Sequence, residues 1–354
     1  MPKKQARRST AKGAAPRSLA TTLEDLRAAK KEWSSRLLKP GQRPGSQVRT
    51  APITPDPAWN VQGIGIGEKL VDGRHTGVLA VKFLVRAKYH ASHVSKKHAL
   101  PKSIDGLPVD IEEVGLFRRF RAAGTPAAVP DPRTRIRPAP PGCSVGFADP
   151  NNQFTMAGTF GALVRDAGGT LYILSNNHVL ADENQLPLGA PVFQPGVLDG
   201  GSPNTDQIAQ LTRFVGLDPT SSNLVDCAIA AVSDPRQVSD AILQIGQPQG
   251  VGDATKDMVV QKFGRATDYR AGRVTMVDTD VNMQYHSHSY KFSGQMIIVS
   301  LDSQPFSNDG DSGSLIVERG SNMAVGLLIG GGTAGHSIAN DITDVLEKLG
   351  VSLA

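Results

Sequence analysis

Three segments in the second half of the chain each place a side chain capable of acid, base or nucleophilic chemistry beside a short apolar run. These segments are Leu171-Tyr-Ile-Leu-Ser-Asn-Asn-His-Val-Leu, Leu224-Val-Asp-Cys-Ala-Ile-Ala-Ala-Val and Asn308-Asp-Gly-Asp-Ser-Gly-Ser-Leu-Ile-Val. An acid inside an apolar run is costly to bury unless it is hydrogen-bonded, and a histidine N–H is a suitable donor. A serine hydroxyl becomes an effective nucleophile when a base removes its proton and an acid holds that base in one tautomer. The segments therefore predict nucleophilic catalysis by Ser312, with His178 as the base and Asp226 as the acid.

Glycines flank Ser312 just before the apolar residues of a predicted strand. Small neighbours let the hydroxyl project and let backbone N–H groups point at one spot, which is the geometry that an oxyanion hole needs. The segment Gly310-Asp-Ser-Gly-Ser resembles the nucleophile motif of trypsin-like (chymotrypsin-fold) serine peptidases, and Asn177-His-Val-Leu resembles the histidine motif of their bacterial members. The separations of 48 residues from His178 to Asp226, and of 86 from Asp226 to Ser312, suit the same family.

The resemblance covers about residues 145–350 and implies a role for each of these residues. His178 would act as general base and then as general acid, Asp226 would orient its ring, and Ser312 would be acylated. The backbone amides of Gly310 and Ser312 would form the oxyanion hole. The implied architecture is two six-stranded antiparallel β-barrels with the site in the cleft between them.

The same resemblance implies a specificity pocket. Its base would be the residue six before the serine, which is Phe306 here and not the aspartate typical of trypsin. One wall would come from the strand that begins at Val325, and the other from the segment that begins at Gly335. The candidate wall residues are Ile329, Gly330, Gly331, His336 and Ser337.

The residue before the serine bears on activation. In trypsin-type zymogens a new N-terminus inserts beside this aspartate, which is Asp311 here. The predicted peptidase domain has about 140 residues ahead of it and no Ile-Val-Gly-Gly start. We therefore expect no activation by that route, and the domain is either assembled from the outset or switched by a partner.

Apolar periodicity and turn residues predict four parts: a basic tail and short helix at 1–40, a small α+β accessory domain at 41–122, a Pro-rich linker at 123–144, and the peptidase domain at 145–354. Thr22 and Asp25 predict the cap of the N-terminal helix, which stops at Pro40-Gly41. The accessory strands begin at Val61, Gly77 and Val109, with a turn at Asp72-Gly73 between the first two. In the last part short strands alternate with turns up to a closing helix at Asp341–Leu349, so the predicted fold is mainly β.

Alternating glycines mark the first accessory strand. Gly63, Gly65 and Gly67 could suggest a nucleotide-binding loop, but they lack the full fingerprint and a following helix, which favours strand glycines. This segment and Ile104-Asp-Gly-Leu-Pro-Val-Asp also resemble the domain ahead of the peptidase in an intracellular bacterial group related to the narrow-leaf proteins of plants.

The charge is divided unevenly along the 354 residues. The total is +5, yet residues 1–40 and 41–140 each carry +8, whereas residues 141–354 carry −11. The basic tail lacks interleaved aromatic residues, so a nucleic-acid function is not favoured. An acidic domain attracts basic segments, which predicts that the tail docks on the peptidase domain or recruits an acidic partner.

Other features limit the compartment and the cofactors. Two cysteines, Cys143 and Cys227, cannot build a disulfide framework, and neither a membrane span nor a signal peptide is predicted, which together favour the cytoplasm. His286 and His288 share one face of a predicted strand, where a metal pair is one interpretation and surface histidines are the favoured one. No cofactor or metal is predicted.

The favoured function is a cytoplasmic serine endopeptidase that cleaves a protein partner at few sites, with activation of a defence effector as one use. The alternative is a noncatalytic interaction or assembly module on a peptidase fold. The sequence leaves open the substrate, the activating signal and whether the chain forms a homo-oligomer.

Overall fold

The computed structural model describes residues 22–39, 54–71, 74–118, 132–148 and 156–354. The predicted basic tail, the Pro40-Gly41 helix stop and the Asp72-Gly73 turn lie outside these residues.

The first helix, α1 (Leu23–Leu37), is capped as the sequence predicts. The Thr22 hydroxyl accepts a hydrogen bond from the Asp25 N–H, and the Asp25 carboxylate accepts one from the Thr22 N–H, both at 3.1 Å. Two orphan N–H groups are thereby satisfied at the helix start. The apolar face of the helix buries Leu26 and Ala29 against the strands that follow.

The elements of the front part follow in chain order: α2 (Pro57–Asn60), β1 (Val61–Val71), β2 (Arg74–Val85), β3 (Ser103–Ile104), β4 (Leu107–Glu113) and β5 (Phe117–Arg118). β1 and β2 form an antiparallel pair, and β4 lies parallel to β2. The three predicted accessory strands are therefore confirmed.

The first half of the predicted peptidase region contains β6 (Ser144–Phe147), β7 (Gly158–Thr159), β8 (Ala162–Arg165), β9 (Leu171–Ser175), α3 (Asn177–Leu180), β10 (Pro191–Phe193), β11 (Gln207–Phe214), β12 (Ser222–Asn223) and β13 (Ala228–Val232). The second half contains β14 (Val259–Gly264), β15 (Asp268–Gln284), β16 (Ser289–Ser300), β17 (Leu315–Glu318), β18 (Ala324–Gly332), β19 (His336–Asp341), α4 (Ile342–Leu349) and β20 (Ser352–Leu353). The closing helix α4 is confirmed, with the Asp341 side chain accepting from the Thr343 N–H at its start.

These strands confirm the mainly β class. In the second half β14, β15, β16, β19, β18 and β17 pair antiparallel in a closed ring, which has the predicted six strands. The first half differs from a closed six-stranded barrel: it is an eight-stranded sheet in the order β20, β8, β9, β13, β11, β10, β6, β7. The C-terminal β20 adds to one edge and the short β7 to the other, so the described sheet stays open.

The front strands continue the sheet of the second half. β1 pairs on one side with β2 and on the other with β15, where Gly63 lies opposite Val281. A buried ion pair supports this junction, since Lys30 on α1 reaches Asp280 on β15 at 3.0 Å. One twelve-stranded sheet therefore spans the front part and the ring, and the domain boundaries remain a prediction.

The described part of the predicted linker packs against the first half. Ala139 and Cys143 are fully buried in its core, and Arg135 pairs with Asp206 at 2.7 Å. Residues 132–144 are therefore held in place by apolar burial and by an ion pair, in addition to the stiffness that proline supplies.

The strand interpretation of the alternating glycines is confirmed, and their small size is needed where β15 crosses. A Cβ on Gly65 would lie 2.6 Å from the Thr279 hydroxyl oxygen, which is closer than a Cβ carbon approaches a non-bonded atom in real structures. We expect Gly65→Val to separate β1 from β15 and to lower the free energy of unfolding by about 1–3 kcal/mol. Urea unfolding measures this loss. The control Gly216→Ala adds a methyl group that meets only the Asn184 side chain at 3.9 Å, and an equal loss in both variants would contradict the explanation.

Candidate active site

His178 lies in the single turn of α3, directly after the buried strand β9. The preceding Asn176 donates its side-chain amide to the Asp226 carbonyl at 2.8 Å, and Asn177 donates to the Val215 carbonyl at the same distance. Both asparagines are fully buried, and their side-chain N–H groups are satisfied by backbone carbonyls distant in the sequence. This anchoring determines where the His178 ring points.

Asp226 lies two residues before β13 and is fully buried. Asn340 on β19 brackets its backbone, accepting from the Asp226 N–H at 3.2 Å and donating to its carbonyl at 3.1 Å. One carboxylate oxygen lies 2.5 Å from Nδ1 of His178, and the other accepts from the His178 backbone N–H at 3.3 Å. The structure therefore brings together the predicted base and its orienting acid.

The protonation of this pair follows from its contacts. Burial on its own raises the pKa of Asp226, but attraction to the His178 ring and hydrogen bonds from His178 and Tyr285 outweigh it, so this pKa lies below its ordinary value. An ionised carboxylate accepts a hydrogen bond from an N–H at Nδ1, which leaves the lone pair on Nε2. Nε2 is buried and has no hydrogen-bond partner in the part of the chain that the structure describes.

Tyr285, between β15 and β16, supplies a contact that the sequence analysis did not find. Its hydroxyl donates to the Asp226 carboxylate at 2.6 Å, and its ring lies edge-on to the His178 ring at 5.4 Å between centroids. Glu183 holds the same turn by accepting from the backbone N–H groups of His286 (2.8 Å) and Ser287 (3.1 Å).

The prediction that His286 and His288 share a strand face is wrong. Both lie in this turn and are exposed, because β15 ends at Gln284 and β16 begins at Ser289. The carboxylate of Glu183 accepts from successive backbone N–H groups there, which requires a turn and excludes a strand ladder.

The Ser312 loop precedes β17, as predicted, and packs against the end of β9. Gly313 has φ +91°, and a Cβ there would lie 2.1 Å from the Ser175 hydroxyl oxygen, so a glycine is needed on both counts. The Ser312 carbonyl accepts from the Thr159 N–H at 2.8 Å. Ser175 is three residues before His178, so the loop and the histidine turn are neighbours.

The loop leaves several of its polar groups weakly bonded or without a bond. The Ser312 hydroxyl donates to the Ile329 carbonyl at 3.4 Å, a long contact that leaves it easy to redirect. The N–H groups of Gly310 and Ser312 form no hydrogen bond with any described residue. Two unpaired N–H groups beside a serine hydroxyl are what an oxyanion hole requires.

A buried ion pair beneath this loop involves Lys262, which the sequence analysis also missed. The Lys262 ammonium lies 3.1 Å from the Asp311 carboxylate, and both side chains are fully buried. The carboxylate also accepts from the N–H groups of Ala266 (2.8 Å) and Asn308 (2.9 Å) and from the Thr267 hydroxyl. Burial lowers the pKa of Lys262 and Asp311 opposes that shift. The positive charge that pairs with Asp311 therefore comes from the Lys262 side chain, whereas trypsin-type zymogens use a new N-terminus.

The candidate pocket residues lie on two neighbouring strands and in a core cluster. Ile329, Gly330 and Gly331 lie on β18, beside His336 and Ser337 on the neighbouring β19. Phe306 is fully buried in the core cluster that contains Val274, Ile298 and Leu328, and the hydroxyl of the next residue, Ser307, lies 2.6 Å from that of Ser337. Its role at a pocket base remains a prediction.

His336 contacts the front part of the chain. Its Nε2 lies 2.7 Å from the Glu112 carboxylate at the end of β4, which also pairs with Lys82. Burial raises the pKa of Glu112, but the hydrogen bond from His336 and the Lys82 charge outweigh it and lower that pKa to about 2. One candidate wall residue is therefore bonded to an accessory strand. Cys227, beside Asp226, is a free buried thiol as predicted, and burial raises its pKa well above the usual value.

Comparison with known proteins gives distant similarities. No family model matches the chain. Protein NARROW LEAF 1 of rice (Oryza sativa subsp. japonica) is 24% identical over 290 residues, which cover 72% of this chain and 48% of that protein. The chain thus spans about half the length of this curated relative.

The similar solved structures are chymotrypsin-fold serine proteases. One is a glutamic acid-specific serine protease that utilises a novel histidine triad in substrate binding, with 20% identity, a TM-score of 0.43, and coverage of 61% of this chain and all of that chain. Another is Protease A of Thermobifida fusca, with 16% identity, a TM-score of 0.42, and coverage of 60% and 97%.

Tyr285→Phe tests whether the phenol positions the Asp226–His178 pair. The variant removes one donor from a buried carboxylate, a hydrogen bond typically worth about 1.5–3 kcal/mol, so we expect fluorophosphonate labelling of Ser312 to slow by about tenfold or more. The control Tyr290→Phe removes a hydroxyl from the adjacent ring, 5.1 Å away between centroids, and should label normally. Equal rates for wild type and both variants would refute the assignment.

Lys262→Met tests the buried ion pair under the nucleophile loop. It leaves the Asp311 charge buried without its cation, so we expect a loss of about 3–5 kcal/mol in the free energy of unfolding. Adding Asp311→Asn should recover part of that loss, because the uncompensated charge is then gone. Lys256→Met, which breaks partly exposed ion pairs with Glu68 and Asp257, should cost under about 1 kcal/mol. Chemical denaturation of the four proteins would disprove this account if the two lysine variants were equally stable.

Proposed function

We propose that this chain is a serine endopeptidase that hydrolyses peptide bonds in a protein partner through an acyl-enzyme. The observation that carries the proposal is the buried Asp226–His178 pair, whose Nε2 is left without a described partner beside the Ser312 loop. A structural histidine would be expected to use both ring nitrogens or to lie at the surface. A ring nitrogen left unsatisfied while the other ring nitrogen bonds a buried carboxylate, on a turn that neighbours the Ser312 loop, suits a general base.

The chemistry follows from the positions of these groups. As Ser312 Oγ attacks the carbonyl carbon, Nε2 of His178 takes the hydroxyl proton, and the N–H groups of Gly310 and Ser312 stabilise the oxyanion. The imidazolium then protonates the leaving amine, and the acyl group stays on Ser312. Water activated by the same nitrogen hydrolyses the ester and restores the serine. Asp226 remains ionised throughout and holds the ring in one tautomer.

The accessory part supports the view that cleavage is limited to few sites. It joins the six-stranded ring of the second half through β1 and contacts a candidate pocket wall through Glu112, a position from which it would restrict the substrates that reach this wall. We also propose that the protein acts in the cytoplasm and that it activates a defence effector by cleavage. Docking of the basic tail on the acidic residues 141–354 remains part of the same proposal. Among the described residues, no helix is both long enough and apolar enough to cross a membrane. The second candidate is a noncatalytic module on the same fold.

Fluorophosphonate labelling of the full chain distinguishes the two. The probe phosphonylates a serine only when a neighbouring base activates it, so we expect wild type to label and Ser312→Ala and His178→Ala to lose at least about 99% of the signal. Ser321→Ala is the matched control, since Ser321 is exposed and bonds only to its own turn. Labelling is quantified by in-gel fluorescence, and thermal unfolding confirms that each variant folds.

Two results would contradict the assignment of this chain as an enzyme. Undiminished labelling of His178→Ala would remove the base from the mechanism. Failure of a folded wild-type protein to label at any pH from 6 to 9 would favour the noncatalytic module.

A further inference from the structure

One edge of β18 carries both the nucleophile loop and a strand of the accessory part. At Leu328 this edge bonds the loop: the Gly313 N–H donates to the Leu328 carbonyl at 2.9 Å, and the Leu328 N–H donates to the Ser314 carbonyl at 3.0 Å. Three residues further on, Gly331 pairs with Arg118 of β5. The opposite edge of β18 is occupied by β19, so the loop and β5 must share the remaining one.

The direction of β5 aims it along that edge toward the nucleophile. The pairing is antiparallel, with Gly332 opposite Phe117 and Gly331 opposite Arg118. The chain in β5 therefore runs from Gly332 toward Ile329, whose carbonyl accepts from Ser312. The stretch of β18 between Arg118 and the loop is Ile329-Gly330, so about 10 Å of strand edge separates them.

The seat of β5 is built from packed side chains. The Phe117 ring is fully buried in one apolar cluster with Ile329 and Tyr285. A Cβ on Gly332 would lie 2.6 Å from the Val114 carbonyl oxygen and 2.9 Å from the Phe117 ring, so the glycine makes room for the approach of this strand. Arg118 also pairs with Gln284 of β15, so β5 lies between β15 and β18 of the six-stranded ring.

We propose that β5 is an internal occupant of this edge of β18 and holds the place that an extended substrate would take under the proposed function. An extended peptide binds a sheet edge through its main chain, and a peptide whose carbonyl reaches Ser312 must use the edge beside the nucleophile loop. The accessory part thereby places β5 on this edge in the antiparallel orientation of a substrate. A protein substrate reaches the edge by displacing β5. This inference rests on the proposed function and adds a regulatory element to the same site.

The test weakens β5 without touching the catalytic groups. A proline at position 118 has no N–H and cannot continue a central ladder, so Arg118→Pro should release the edge, whereas Arg118→Ala keeps the backbone and is the matched control. Each change is made in the full chain, once in the active form and once with Ser312→Ala. The probe is fluorescein-labelled casein, as an unfolded protein with extended segments. We expect Arg118→Pro to cleave it at least about tenfold faster than Arg118→Ala, and its Ser312→Ala form to bind it at least about tenfold tighter by anisotropy.

The binding arm separates this inference from the proposed function. If no form cleaves casein but Arg118→Pro still binds it more tightly, the docking edge stands and the enzyme assignment falls. If Arg118→Pro binds no better than Arg118→Ala, the inference is wrong whether or not wild type is a peptidase. Gly332→Ala, which presses on Phe117 and Val114 and leaves position 118 intact, must shift binding in the same direction, and it replaces the proline variant if that variant does not fold.

Discussion

The carboxylate of Asp226 is sealed from water, and much of the site is arranged to make that burial tolerable. An ion moved into the interior costs several kcal/mol unless donors replace its hydration. Here the replacements come from separate parts of the chain: the ring and backbone of His178 on the first half, and the Tyr285 hydroxyl on the turn after β15. Satisfying the charge and orienting the imidazole are therefore one interaction, and it joins the two halves of the molecule.

Buried polar pairs also hold parts of the chain together. The ion pair of Lys30 and Asp280 joins the first helix to β15, and the hydrogen bond between His336 and Glu112 joins β4 to the six-stranded ring. The Lys262–Asp311 pair lies within the ring and joins the nucleophile loop to β14. A buried ion pair contributes little net stability compared with apolar packing, but removing one partner strongly lowers the free energy of unfolding. We infer that these pairs select one relative arrangement of the parts, which apolar contacts alone would define less sharply.

The features that could be predicted from the sequence lie in short local patterns. The histidine turn, the acid in an apolar run and the glycine-flanked serine each occupy one short segment, and α1 is marked by its cap. Tyr285 could not be found in this way, because it lies 59 residues from Asp226 and its segment attracts attention only to histidines. The position of β5 depends on pairing with strands more than 160 residues away in the sequence. A strand of two residues is too short to show an apolar periodicity. Local chemistry was predictable, and contacts at long range were not.

The continuity of the sheet through β1 has a consequence for how the molecule can be divided. Between Met276 and Val281 the long strand β15 is bonded on both sides, by β1 and by β16. A chain cut down to residues 145–354 would expose one side of this stretch as a bare strand edge, and bare edges recruit other chains into aggregates. The predicted peptidase region is consequently not a portable module: its solubility depends on a neighbouring strand that contributes no atom to the proposed chemistry.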